Sequence, residues 1–198
     1  MSEIYKKIPN WLTYSRLGLI PVFMLLMVDP APWMVNLATV VFIVAALTDL
    51  LDGYWARRYQ AVSDFGKLLD PVADKILVMT ALVMLTALRS DVYGEPWVPG
   101  WMVVLVLARE TWISGLRAVA ASHGKIVAAS ATGKFKSGFQ MFAIVLLLLH
   151  DVPIKLFGFD LSAQMMGVNL LLLSVLVSYW GAYEYTIEIL GEEKTQAK

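Results

Sequence analysis

The stretch Thr48–Lys75, TDLLDGYWARRYQAVSDFGKLLDPVADK, sets five aspartates between two oily runs. Asp49 and Asp52 close the apolar run before it, and Asp70 and Asp74 open the next. A carboxylate at membrane depth costs about 3 kcal/mol or more, so it persists only where something offsets that cost. Asp49 and Asp52 are three residues apart and Asp70 and Asp74 four, so on helices each pair shares a face. Pro71 suits the first turn of a helix, where its missing N–H removes no bond. The two acidic faces converge if the loop Arg57–Lys67 turns the chain back antiparallel.

Small residues continue the pattern. Gly53 falls four residues after Asp49, Gly66 falls four before Asp70, and Ala56 and Ala73 flank the acids. Glycine within a helix costs roughly 0.5–1 kcal/mol relative to alanine. Here it clears room for a group the size of a nucleotide or a pyrophosphate.

Four carboxylates gathered together cannot all stay ionised without cations. The stretch has no histidine and the whole chain no cysteine, so the available ligands are hard oxygens. Such sites favour magnesium, manganese or calcium over zinc. Magnesium keeps coordination positions for substrate phosphates, and a pair of ions would grip both phosphates of a diphosphate. The competing reading pairs the acids with Arg57, Arg58, Lys67 and Lys75 in a solvated loop, and Asp64, off the pattern, is read that way. Loose ion pairing does not require the glycine spacing.

Outward from this stretch the chain is short of polar surface. Of 198 residues, 59% are hydrophobic and 16% charged, the formal net charge is zero, and the mean hydropathy is +0.66. Soluble domains carry more charge, so a membrane is the expected solvent. Balanced charge gives no case for a nucleic-acid partner. The missing cysteines exclude disulfides, thiolate metal sites and cysteine nucleophiles.

Six apolar stretches stand near the ~20 residues that cross a bilayer as a helix. They run Trp11–Val28, Trp33–Asp52, Asp70–Leu88, Pro99–Ala118, Gly133–His150 and Ala163–Tyr183. The expected fold is an all-α integral membrane protein with six transmembrane helices. Residues 1–198 form one domain in this reading, with 1–10 as a juxtamembrane segment. The first run is a retained span, not a signal peptide, because Pro21 interrupts it and DPAP follows in place of a cleavage pattern.

With both termini inside, the cytoplasmic side collects Lys6, Lys7, Arg57, Arg58, Lys67, Lys125, Lys134, Lys136, Lys194 and Lys198. The opposite side keeps Arg89 and Lys155, the asymmetry that sets membrane orientation. The acids then lie at the cytoplasmic interface. Trp33, Trp97, Trp101 and Trp180 fall near span ends and are read as interfacial anchors. His123 and His150 are read as loop or interface residues.

The pattern D-x2-D-G-x2-A-R-x8-G-x3-D-x3-D, here Asp49, Asp52, Gly53, Ala56, Arg57, Gly66, Asp70 and Asp74, resembles the signature of the CDP-alcohol phosphotransferases. PNWLTYSR at Pro9–Arg16, FGKLLDPVADK at Phe65–Lys75, RETWISGLR at Arg109–Arg117 and GKFKSGFQ at Gly133–Gln140 are similar to the branch of that family that forms phosphatidylglycerophosphate. That branch often carries threonine where this chain has Ser137, and both keep a hydroxyl.

The resemblance implies a six-helix enzyme of the bacterial inner (cytoplasmic) membrane, a homodimer among membrane lipids. Its implied reaction moves the phosphatidyl group of CDP-diacylglycerol to sn-glycerol 3-phosphate and releases CMP. It further implies that Asp49, Asp52, Asp70 and Asp74 bind two Mg2+ ions, with Mn2+ as the alternative, and that Asp74 is also the general base. Gly53, Ala56, Arg57 and Gly66 would surround the nucleotide, and Asn10, Thr13 and Arg16 would line the nucleotide–lipid pocket. A capping role for Asn10 or Thr13 competes.

Candidates for the acceptor's phosphate are Arg109, Arg117, Lys134 and Lys136. Arg109 has a competing role as a buried pair with Glu110 holding helices together, and the two lysines as topology signals. Arg117 has the bidentate geometry that phosphate favours. Inositol phosphate, phosphatidylglycerol and serine stay open as other acceptors. A divalent-cation transporter is the reading from another class, and it would set the acids near the midplane on broken helices.

Overall fold

A computed structural model describes residues 3–59, 64–89, 94–122, 131–150, 152–156 and 159–196. Side chains are described for 13–48, 72–73, 75–89, 94–122, 137–150, 152–154 and 161–189. The apolar runs fold as six helices: α1 (Glu3–Met27), α2 (Pro32–Tyr59), α3 (Asp64–Ala87), α4 (Gly100–Ser122), α5 (Ala131–Leu148) and α6 (Ala163–Gln196). Pro32 opens α2, where a missing N–H costs nothing, and the Ala31 carbonyl accepts from the Met34 and Val35 amides.

Several helices outrun the apolar stretches. α1 begins at Glu3, so the basic flank and the first apolar run form one helix. α2 continues past Asp52 to Tyr59 and α3 starts at Asp64, which places all four acids of the signature inside helices. α6 has 34 residues, about 51 Å at 1.5 Å per residue. Its segment Ala163–Ile189 is long and apolar enough to cross a membrane. Shorter apolar segments stand at Thr13–Met27, Pro32–Thr48, Lys75–Ala87 and Ser137–Leu148.

The connection from α5 to α6 departs from the all-helical expectation. Strands β1 (Pro153–Leu156) and β2 (Phe159–Ser162) pair antiparallel, with Ile154 opposite Leu161 and Lys155 opposite Asp160. Ile-Lys-Leu and Phe-Asp-Leu alternate apolar and charged residues, the period of a strand and not of a helix.

One apolar core runs through the bundle. Phe23 of α1 meets Phe42 of α2 with ring centroids 6.1 Å apart, and Leu82, Met102, Ile144 and Leu171 bring in α3 to α6. A second cluster joins Ile113 and Ala120 of α4 to Ala182, Tyr185 and Ile189 of α6. These two helices run parallel: the Tyr179 hydroxyl donates to the Leu105 carbonyl at 3.1 Å, and seven residues further on each helix Trp112 Nε1 donates to Thr186 Oγ1 at 3.2 Å. α5 therefore brings the chain back between them.

Large apolar side chains stay exposed on all six helices, among them Leu25, Val40, Val83, Val104, Phe142 and Leu176. Water would penalise such a surface; hydrocarbon would not. At the end of the bundle where α3 and α5 finish, the Trp97 amide donates to the Leu88 carbonyl. Trp97 corrects an expectation: it is buried at 5% exposure and stacks on His150, ring centroids 3.4 Å apart. Trp33, Trp101 and Trp180 are exposed.

Candidate active site

α2 holds Asp49, Asp52, Gly53, Ala56 and Arg57 in its second half, and α3 holds Gly66, Asp70 and Asp74 in its first. The side chains of these eight residues lie outside the described set, as do those of Asn10, Lys134 and Lys136, and so does His123 altogether. The backbone still fixes their levels. Asp49 stands ten residues before the end of α2 at Tyr59, and Asp74 ten after the start of α3 at Asp64. Asp52 stands seven before, and Asp70 six after, the same two ends.

Four residues separate the helices, a connection short enough to return α3 alongside α2, and the two helices touch. The acids occupy two matched levels, about 10 and 15 Å from the connection at the helical rise. A set of carboxylates on two rigid helices suits a hard divalent cation with coordination positions left for phosphate.

α1 packs on both acid-bearing helices. Its Thr13 and Arg16 are buried at 2% and 0% exposure. Arg16 is six residues past Asn10 along α1, about 9 Å further from the N-terminal end. No hydrogen bond among the described residues reaches Arg16 Nε or Nη1, and buried donors favour an acceptor close by.

Of the four cations read as candidates for the acceptor's phosphate, the two with described side chains, Arg109 and Arg117, lie on α4. Arg109 donates from Nε to the Ser178 carbonyl of α6 at 3.0 Å and from Nη1 to Glu110 Oε1 at 2.9 Å. Both side chains of this pair are nearly enclosed, at 11% and 12% exposure. The guanidinium thus clamps α4 to α6. Two turns on, Arg117 is exposed, with its guanidinium carbon 5.7 Å from the centroid of the Tyr185 ring. That cation–π seat leaves the fork of N–H donors open toward the surface. Lys134 and Lys136 fall in the first two turns of α5.

A polar contact between α3 and α4 involves two residues outside the sequence-derived site. Lys75, the neighbour of Asp74, is half-buried and donates from Nζ to Ser114 Oγ on α4. Ser114 Oγ in turn donates to the Glu110 carbonyl at 2.6 Å. In the sequence, Lys75 figured only in the competing reading that pairs the acids with loop cations. The only hint in the sequence is that Ser114 follows Glu110 by one helical turn.

The profile of the CDP-alcohol phosphatidyltransferase family matches residues 6–180, from the first turn of α1 to about midway along α6. The chain belongs to that family. It is 37% identical over 195 residues to a CDP-diacylglycerol–glycerol-3-phosphate 3-phosphatidyltransferase of Bacillus subtilis (strain 168), covering 92% of this chain and 96% of that one. Proteins of the same name from Rickettsia bellii (strain RML369-C) and Yersinia pestis (strain Pestoides F) are each 36% identical. Those alignments cover 89% and 90% of this chain and 94% and 92% of the relatives.

Proposed function

We propose that this protein transfers the phosphatidyl group of CDP-diacylglycerol to sn-glycerol 3-phosphate, forming phosphatidylglycerophosphate and CMP. The observation that carries the reading is the pairing of two acid levels on α2 and α3, in a chain matched over nine-tenths of its length to transferases of that name. Six spans with both termini on the cytoplasmic side of the bacterial inner membrane complete it. What supports six spans is the exposed apolar wall on every helix.

Asp49, Asp52, Asp70 and Asp74 would hold two Mg2+ ions, which when bound would supply the positive charge that offsets the diphosphate and the departing CMP. Gly53, Ala56 and Gly66 leave space for the cytidine nucleotide, with Arg57 beside it. Asn10, Thr13 and Arg16 line its lipid side. Asp74 takes the proton from the 1-hydroxyl of glycerol 3-phosphate as that oxygen bonds to the β-phosphorus, and the bond from this phosphorus to the CMP oxygen breaks.

Arg117, Lys134 and Lys136 take the acceptor's phosphate. Arg109, two turns deeper, adds its charge while holding α4 on α6. A cytoplasmic-interface site lets one substrate arrive from water and the other from lipid.

The test is an acceptor panel: purified protein, CDP-diacylglycerol and Mg2+, with glycerol 3-phosphate, inositol phosphate, serine or phosphatidylglycerol supplied in turn. CMP release with glycerol 3-phosphate is the expected result. Release with another acceptor and not with glycerol 3-phosphate reassigns the substrate, and release with none refutes the reading.

A further inference from the structure

A lysine beside an acidic metal site would ordinarily face solvent or the acids themselves. Lys75 does neither alone: it is half-buried and its ammonium donates to Ser114 of α4. Positions 74 and 75 lie about 100° apart around the helix axis, so the residue after Asp74 is turned toward a neighbouring element. That element is α4, which packs on α3. The Ser114 hydroxyl donates to the Glu110 carbonyl at 2.6 Å, which fixes its proton and leaves its lone pairs to accept from Lys75.

The chain of polar contacts continues. Glu110 Oε1 accepts from Arg109 Nη1 at 2.9 Å, and Arg109 Nε donates to the Ser178 carbonyl at 3.0 Å. Two sets of hydrogen bonds therefore meet at Glu110, one reaching its backbone carbonyl from Lys75 of α3 through Ser114, the other joining its carboxylate through Arg109 to α6.

These contacts have a geometric consequence. The connection from α3 to α4 spans residues 88–99, so chain continuity alone leaves α4 free to slide or rotate against α3 at the end that bears the acids. α3 carries Asp70 and Asp74, and α4 carries Arg117, three residues past Ser114.

We propose that Lys75 and Ser114 are positioning residues, a tie between α3 and α4 that holds the acceptor-binding cations in register with the metal-binding acids. The inference rests on the transferase reading above and adds to it. The acceptor's phosphate is seated by Arg117 of α4 and the diphosphate by α2 and α3, so in-line attack of the acceptor's hydroxyl depends on how those helices are set. A displacement near 1 Å costs up to about a hundredfold in rate.

The experiment compares Ser114→Ala, Ser114→Thr, Lys75→Met and the Lys75→Met/Ser114→Ala double variant in the full-length protein. Readouts are kcat, KM for each substrate and the thermal midpoint of the detergent-solubilised enzyme. Ser114→Ala and Lys75→Met should each lose about tenfold to a hundredfold in kcat, with KM for CDP-diacylglycerol held within about twofold. Ser114→Thr, which keeps the hydroxyl, should retain wild-type kcat. The double variant should lose no more than the worse single one, as one shared interaction requires.

Ser114→Ala is the smaller change and keeps the comparison informative if Lys75→Met does not fold. Wild-type kcat in Ser114→Ala overturns the tie. So do additive losses in the double variant, or a lowered thermal midpoint with unchanged kcat per folded enzyme. A wild-type protein that releases no CMP with glycerol 3-phosphate sinks the transferase reading and this inference with it; the other outcomes sink the tie alone.

Discussion

Gly167 of α6 stands directly against Leu147 of α5. A Cβ at Gly167 would lie 2.7 Å from Leu147 Cγ and 3.1 Å from the Ala143 carbonyl oxygen. The two helices are antiparallel neighbours with the most extensive packing in the bundle, and this close approach is where their backbones come nearest among the described glycines.

Gly167→Ala should therefore destabilise the protein. Replacing a helical glycine by alanine gains up to about 1 kcal/mol in propensity, while overpacking costs about 1–3 kcal/mol. The clashing atoms are a side-chain branch point and a main-chain oxygen, neither of which yields easily, so the clash wins. Gly18→Ala is the control, since a Cβ there meets nothing within 4 Å. Thermal midpoints in detergent should fall for Gly167→Ala and hold or rise for Gly18→Ala.

Removing the metal should abolish transfer. Chelation with EDTA is expected to stop CMP release and added Mg2+ to restore it, while Asp70→Asn and Asp74→Asn should lose about a thousandfold or more with no recovery at high Mg2+. Near-normal turnover in both variants would overturn the assigned roles.

Arg117→Ala should act on the acceptor alone. KM for glycerol 3-phosphate is expected to rise about tenfold or more, with KM for CDP-diacylglycerol unchanged. Tyr185 seats that guanidinium, 5.7 Å from its ring centroid. Tyr185→Leu should then raise the same KM by a smaller factor, about two- to fivefold, the equivalent of a cation–π contact of about 0.5–1 kcal/mol. Equal effects on both substrates would remove Arg117 from the acceptor site.

Arg109→Met should weaken the pairing of α4 with α6. It strips Glu110 of its guanidinium in a site where both groups are almost enclosed, a change that costs about 3 kcal/mol or more. Adding Glu110→Gln should recover part of the lost thermal midpoint, because the buried charge goes too. A midpoint unchanged in Arg109→Met would show that the clamp holds nothing.

Much of this molecule is written locally. The helices could be marked from runs of apolar residues, and the acids stood out because a site built on helices repeats every three or four positions. Helix register then set Asp49 level with Asp74 without any knowledge of side-chain contacts. Some local signals were misjudged. The alternation in Pro153–Ser162 is a strand signal within a chain expected to be all-α, and nearness to a span end pointed Trp97 to the interface.

Trp97 shows where local reading stops. Its position along the chain suggested a belt residue, yet its ring is buried on His150, 53 residues away in sequence. The competing loop reading set Lys75 among cations near it in sequence, yet its ammonium donates to Ser114, 39 residues on. Arg109 found its acceptor on Ser178, 69 residues on, in a helix that runs parallel to its own.

The amino-acid order by itself determined the helices, the acidic faces and the chemistry those faces suit, because helical period and ligand hardness are properties of neighbours in the chain. Which face meets which neighbour was decided by tertiary packing. A polar side chain in an apolar bundle takes whatever partner the assembled helices bring within reach, and no spacing along the chain encodes that distance.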